Sequence, residues 1–219
     1  MNYNSKRDYN SNEVLTITIA VSTLIAVSLA CNLLYFSWFE ISIFDVKLMF
    51  ALSALFYPLK FALLDLINRI TTYKFAIKVA IIITLADAIF STIPLLSQAF
   101  PSYKYMPQDS LINLSDAVHL LGPQIFGLFY HGLIASFTTL MLEIYLFNII
   151  IKKINNLPIA IIISTLLTLF VHNLVLDYSM LRNYADHWNI IIGNYAINSF
   201  VVIVYALIIY FATKRVIKV

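Results

Sequence analysis

Charge is scarce in this sequence. Only 11% of its 219 residues are Asp, Glu, Lys or Arg, whereas 61% are hydrophobic, and the mean hydropathy is +0.87. A soluble domain carries about 25% charged and roughly 45–50% apolar residues. This composition cannot build a water-exposed surface, so an ordinary soluble globular enzyme is excluded. Cysteine occurs once, at Cys31, which rules out an intrachain disulfide and a thiolate cluster for a metal. Four Gly and six Pro leave no flexible linker. Zinc-spaced His and Glu pairs, a Gly-x-Ser-x-Gly elbow and a phosphate-cradling glycine loop are all missing. His119, His131, His172 and His187 are scattered along the chain, and the basic residues form no stripe suited to nucleic acid. The sequence therefore implies no cofactor, no metal and no nucleic-acid partner.

What is present is a series of long apolar runs. A membrane helix needs about 20 mainly apolar residues, and hydropathy divides the chain into six such stretches, at 13–36, 45–70, 75–98, 116–151, 157–181 and 187–213. Gly122-Pro123 is expected to break or kink the fourth. A polar and aromatic loop with Tyr103, Lys104 and Tyr105 precedes it. The first run has no small-residue cleavage site, so a removed signal peptide is not expected.

Lys and Arg in short loops mark the cytoplasmic side. Lys6 and Arg7, then Arg69, Lys74 and Lys78, then Lys152 and Lys153, and finally Lys214, Arg215 and Lys218 lie at alternate ends of the stretches. The expected architecture is an all-α polytopic membrane bundle of six transmembrane helices with both termini cytoplasmic. A transporter domain over 13–213 would lie between tails 1–12 and 214–219. Tyr35, Trp38, Tyr103, Tyr105, Tyr184 and Trp188 sit at the expected outer ends, where amphipathic rings favour the interface.

Polar residues inside these runs point to an internal site. A charge at bilayer depth costs about 2.5–3.5 kcal/mol on insertion scales, so it faces a partner or a wet cavity. Lys60 and Asp65 fall in the second stretch, Asp87 in the third, Glu143 in the fourth and Asp177 near the outer end of the fifth, with His131, His172, Asn173, Asn32, Asn194 and Asn198 also within the runs. Several have two readings. Asp65 and Arg69 are four apart and fit an i,i+4 ion pair as well as a site. Lys60 can line a cavity or pair with Asp87, Glu143 or Asp65. Glu143 can reach toward cytoplasmic headgroups, and Asp177 reads as interfacial. His172 and Asn173 are adjacent, about 100° apart on an α-helix, and are not expected to face one ligand together.

The second stretch carries a recognisable pattern. Phe56-Tyr57-Pro58 followed by Asp65-Leu66 and Arg69-Ile70 resembles the aromatic-Pro then Asp-Leu-x-x-Arg-Ile pattern of the queuosine precursor transporter family, also called vitamin-uptake-like. Asn32 stands where that family carries an Asn ending the first span. Glu143 with Leu146-Phe147-Asn148 is similar to its acid-then-Val-Phe-Asn segment, and Ser164-Thr165-Leu166 and Ala185-Asp186-His187-Trp188 echo members as well. Other family positions differ: a Gln is Leu140 here, an Arg falls near Gly127, an Asn and an Asp become Leu169 and His172, and a Lys aligns near Asn198.

The resemblance implies an importer, in a bacterial inner membrane, of a small nitrogenous heterocycle, a 7-deazaguanine precursor of queuosine. Its polar contacts would be Asp65, Glu143 and Asn32, with Lys60, His172 and Asn198 beside them and Tyr57 supplying a stacking face. The partners implied are a purine-like substrate, the lipid bilayer, and an energy-coupling subunit or a second copy of the chain. Two other readings stay open on the residues alone. One is a substrate-binding membrane subunit that translocates only with a partner. The other is a small intramembrane enzyme using His131 or His172 with Asp87, although the transporter reading expects no catalysis.

Overall fold

The computed structural model describes residues 10–35, 37–43, 46–96, 109–178, 182 and 187–214. Helix α1 spans Ser11–Leu34 and begins at a capping box. Asn10 Oδ1 accepts the Glu13 backbone N–H at 2.8 Å, and the Asn10 N–H donates to Glu13 Oε2 at 3.1 Å, which satisfies two donors the helix leaves free. Its buried residues, Ala20, Leu24, Ser28 and Cys31, recur at helical spacing and form one inward stripe. Val14, Leu15, Ile19 and Leu33 are exposed, an apolar outer face suited to lipid.

The chain next forms a hairpin, not a helix. Strand β1 (Trp38–Ile43) pairs antiparallel with β2 (Val46–Ala51), with Trp38 opposite Ala51 and Phe39 opposite Phe50. Phe39 and Phe50 stack at 5.9 Å, a cross-strand aromatic pair. A 3-10 turn (Leu52–Leu55) and helix α2 (Tyr57–Ile70) follow. The expected helical stretch over 45–70 is thus corrected to a strand, a turn and a short helix. A hydropathy window averages over apolar residues whatever their period, so an apolar strand next to an apolar helix reads as one run. Pro58, in the first turn of α2, marks the true start.

Helix α2 is the centre of the molecule. It packs against α1, against α3 (Tyr73–Leu96), α4 (Asp109–Ile154), α5 (Leu157–His172) and α6 (His187–Thr213). Eleven of its fourteen residues are buried, among them Lys60, Asp65 and Asn68. Phe61, Leu64 and Ile67 of α2 join Leu140, Ile144 and Phe147 of α4 and Ile161 and Leu169 of α5 in one core. Asn155, at φ 48°, makes the left-handed turn out of α4. Asn156 then caps α5 by accepting the Ile159 N–H at 3.2 Å, so α4 and α5 run antiparallel through a two-residue turn.

Among the described residues, five helices are long and apolar enough to cross a membrane: Ser11–Leu34, Tyr73–Thr92, Gly132–Ile154, Leu157–Val175 and His187–Thr213. Residues 109–115, expected in the loop before the fourth span, are instead the first turns of α4, and the helix continues across Gly122-Pro123. The aromatic loop residues Tyr103, Tyr105 and Tyr184, the charges Lys6, Arg7, Lys104, Arg215 and Lys218, and the side chains of His119 and His131 lie outside what the structure describes.

Candidate functional site

The C-terminal ends of α1, α3 and α5 and the N-terminal ends of α2 and α6 lie at one end of the bundle, together with the hairpin. A cavity opens among them. It offers about 100 Å³ to the centre of a water-sized sphere. One water needs roughly 10–15 Å³ on that measure, so the space has room for several waters or one small molecule.

Its charged feature is an ion pair. Lys60 Nζ lies 3.4 Å from Asp87 Oδ2, with side chains 3% and 6% exposed, and donates to Ser136 Oγ at 3.0 Å. Asp87 also accepts from Ser28 Oγ at 2.8 and 3.0 Å and from Asn32 Nδ2 at 3.3 Å. Such saturation of a buried carboxylate by donors and a cation is what keeps a buried pair from being prohibitively costly. The Lys60 ammonium also sits 5.4 Å from the centre of the Tyr57 ring, within cation–π range.

Aromatic and amide groups complete the lining. Tyr57 and His172 stack at 4.5 Å, and the Tyr57 hydroxyl is 3.2 Å from His172 Nδ1. Asn194 Nδ2 donates to Asp177 Oδ2 at 3.0 Å while its Oδ1 accepts the Ala51 N–H at 3.0 Å, tying the hairpin to the cavity wall. Asn198 also lines the cavity, and its buried Oδ1 has no hydrogen-bond partner. A buried carbonyl oxygen left unpaired is costly, and a donor brought to it would be favoured.

Helix α5 explains how neighbouring residues share this space. It passes into a π turn over Asn173–Asp177, and His172, Asn173 and Asp177 all line the cavity. The expectation that His172 and Asn173 could not face one ligand together is therefore corrected. The wider π turn reduces the angle between successive residues and re-aims their side chains, and such turns recur at functional sites. Asp177 is likewise inward, 3% exposed, rather than interfacial.

Of the substrate contacts expected from sequence, Asn32, Tyr57, Lys60, His172 and Asn198 line the cavity, as do Asp87, Asn173, Asp177 and Asn194 from the wider set of polar residues within the runs. Asp65 and Glu143 do not. Both are fully buried: Asp65 Oδ2 accepts from Ser164 Oγ at 3.1 Å, and Glu143 Oε1 accepts from Thr165 Oγ1 at 3.0 Å. Arg69, the other reading's partner for Asp65, donates instead to Asn155 Oδ1 at 3.5 Å. Glu143 points into the core, not toward headgroups. Sequence reasoning missed Ser28 and Ser136, and it noted Asn194 and Asp177 within the runs without making them substrate contacts. For Ser28 a signal existed, since Ser28, Asn32 and Tyr35 recur at i, i+4 and i+7 on one face of α1.

Compared with known proteins, the chain matches the family model described as "Putative vitamin uptake transporter" over residues 51–212. That is well over half of the chain, and it takes in the whole cavity except the α1 residues. No curated protein and no solved structure matches it.

Proposed function

We propose that this chain, which belongs to the vitamin uptake transporter family, imports a small nitrogenous heterocycle, a 7-deazaguanine precursor of queuosine, across a bacterial inner membrane. The cavity between the helix ends carries this reading. It combines flat aromatic walls with fixed donors and acceptors, the pattern of a site for a polar ring. The stacked Tyr57 and His172 rings supply a face. Lys60 is a donor for a ring carbonyl. Asp177 and the free Asn198 Oδ1 are acceptors for an exocyclic amine and a ring N–H.

The membrane arrangement in this reading has six crossings and both termini in the cytoplasm, with residues 13–213 forming the transporter. The five long helices supply five crossings. The 3-10 turn and α2 together reach about 29 Å, at roughly 2.0 and 1.5 Å per residue, close to the hydrocarbon thickness of about 30 Å. The basic clusters at alternate ends set the orientation.

The test is rescue of a bacterium that can neither make nor import queuosine precursors, supplied with a low concentration of precursor and scored for queuosine in tRNA. The wild-type chain restores the modification, and Asn198→Leu, which removes the free acceptor without adding a charge, lowers it by tenfold or more at equal membrane abundance. Absence of rescue by well-inserted wild-type protein would overturn the substrate.

A further inference from the structure

Below the cavity lies a second polar cluster that substrate contact does not explain. Along α2, Asp65 is about 12 Å deeper than Tyr57. Along α4, Glu143 is about 10–11 Å deeper than Ser136, and along α5, Thr165 lies about as far from His172, at 1.5 Å per residue. Three helices thus place the cluster at one depth. Phe61, Leu140 and Leu169, all with no exposed surface, lie between it and the cavity.

Asp65 and Glu143 accept from neighbouring residues of α5, Ser164 and Thr165, which brings the two carboxyl groups to adjacent places in the core. One oxygen of each already accepts from an α5 hydroxyl, and the other oxygen of each, Asp65 Oδ1 and Glu143 Oε2, is buried without a partner. The hydroxyl of Thr168, one turn along α5 from Ser164 and with no exposed surface, is also unpartnered. No cation answers this charge among the described residues. On α2, Lys60 is held by Asp87 and Arg69 by Asn155. On α3, Asp87 faces Lys60, and Lys74 and Lys78 are exposed near its start. Lys152 and Lys153 of α4 are exposed at its far end, and the α5 histidine, His172, stacks on Tyr57 in the cavity. Helix α6 presents no charged residue within its length.

We propose that Asp65 and Glu143 form a proton-binding site, separate from the substrate cavity, that couples import to proton entry. This rests on the import reading above. One proton converts two facing acceptors into an O–H···O bond, satisfying both orphaned oxygens and removing one of two like charges from the interior. On release the O–H bond breaks, the proton passes to cytoplasmic water, and the pair is left with a repulsion that favours rearrangement of α2 against α4 and α5. No other reactant is needed.

Two measurements on the purified full-length protein test this. In infrared spectra at neutral pH, the wild type shows the C=O band of a protonated carboxylic acid, and Asp65→Asn and Glu143→Gln each lose it. No such band in the wild type, or an unchanged band in both variants, would overturn the site. In proteoliposomes, an acid-outside gradient drives accumulation of labelled 7-deazaguanine by the wild type. Asp65→Asn equilibrates the probe without concentrating it. Accumulation by Asp65→Asn equal to the wild type, or accumulation driven by a sodium gradient alone, overturns the coupling. If wild-type vesicles take up no probe, the import reading fails, and the infrared band then decides the proton site by itself.

Discussion

Charge is handled differently at the two depths of this bundle. At the cavity, Lys60 meets Asp87 and Asp177 meets Asn194; each buried charge has an opposite charge or an amide before any ligand arrives. About 12 Å along the same helices, Asp65 and Glu143 lie together and accept from the hydroxyls of Ser164 and Thr165. The first arrangement is complete enough to stay folded when empty, with the Asn198 oxygen left in want of a donor. The second is incomplete without one more positive charge. The proposed substrate cavity and the proposed proton site would need such different degrees of satisfaction, and both fit around one central helix.

The comparison breaks most severely if the cavity's ion pair is opened. Asp87→Ala leaves the Lys60 ammonium buried with only Ser136 to accept from it. Breaking one partner of a buried pair costs about 3–5 kcal/mol, so the melting temperature of the detergent-solubilised protein falls sharply. Lys60→Met combined with Asp87→Leu removes both charges, and the double variant is expected to melt well above Asp87→Ala. A double variant no more stable than the single would mean that the carboxylate matters to Ser28 and Asn32 rather than to the lysine.

A smaller effect is expected at the rim. Gly193 of α6 lies against the Met49 backbone of β2, and a methyl group there would overlap the Met49 carbonyl oxygen. Backbone cannot yield as a side-chain tip can, so Gly193→Ala must push the hairpin off α6. Overpacking of this kind costs about 1–3 kcal/mol. Because Ala51 is bonded to Asn194, the same shift loosens the partner of Asp177. Thermal melting and ligand-dependent stabilisation fall together in this variant, whereas the infrared signature of the acid pair stays as in the wild type.

Much of this was readable from the sequence, and what was not has physical reasons. The long helices announce themselves because a bilayer demands twenty apolar residues in a row. Polar residues announce themselves because lipid penalises them, and Asn32, Lys60 and Asn198 were found that way. The division between cavity and acid pair was not readable. Tyr57, Phe61 and Asp65 recur every four residues on one face of α2, so the pattern lists them as equals. Only the packing of Leu140 and Leu169 beside Phe61 decides that the cavity stops above the carboxyl. The hairpin was hidden for another reason: 46–56 is apolar at either period. The π turn that brings Asp177 inward has no sequence rule to betray it.

The smallest effect comes from an ion pair outside the comparison and serves as its control. Lys47 Nζ lies 3.0 Å from Glu40 Oε1 across the hairpin, closer than Lys60 lies to Asp87, but its side chains are 69% and 45% exposed. Distance alone would rank the hairpin pair as the stronger. Water and salt reverse the order, since exposed pairs are worth about 0.2–1 kcal/mol and are screened further as ionic strength rises. Lys47→Ala should therefore move the melting temperature slightly at low salt and not measurably at high salt, while Asp87→Ala stays damaging at both. If Lys47→Ala proved as damaging as Asp87→Ala, burial would not be what distinguishes the two pairs. The cavity's charges could then no longer be read as held by their enclosure.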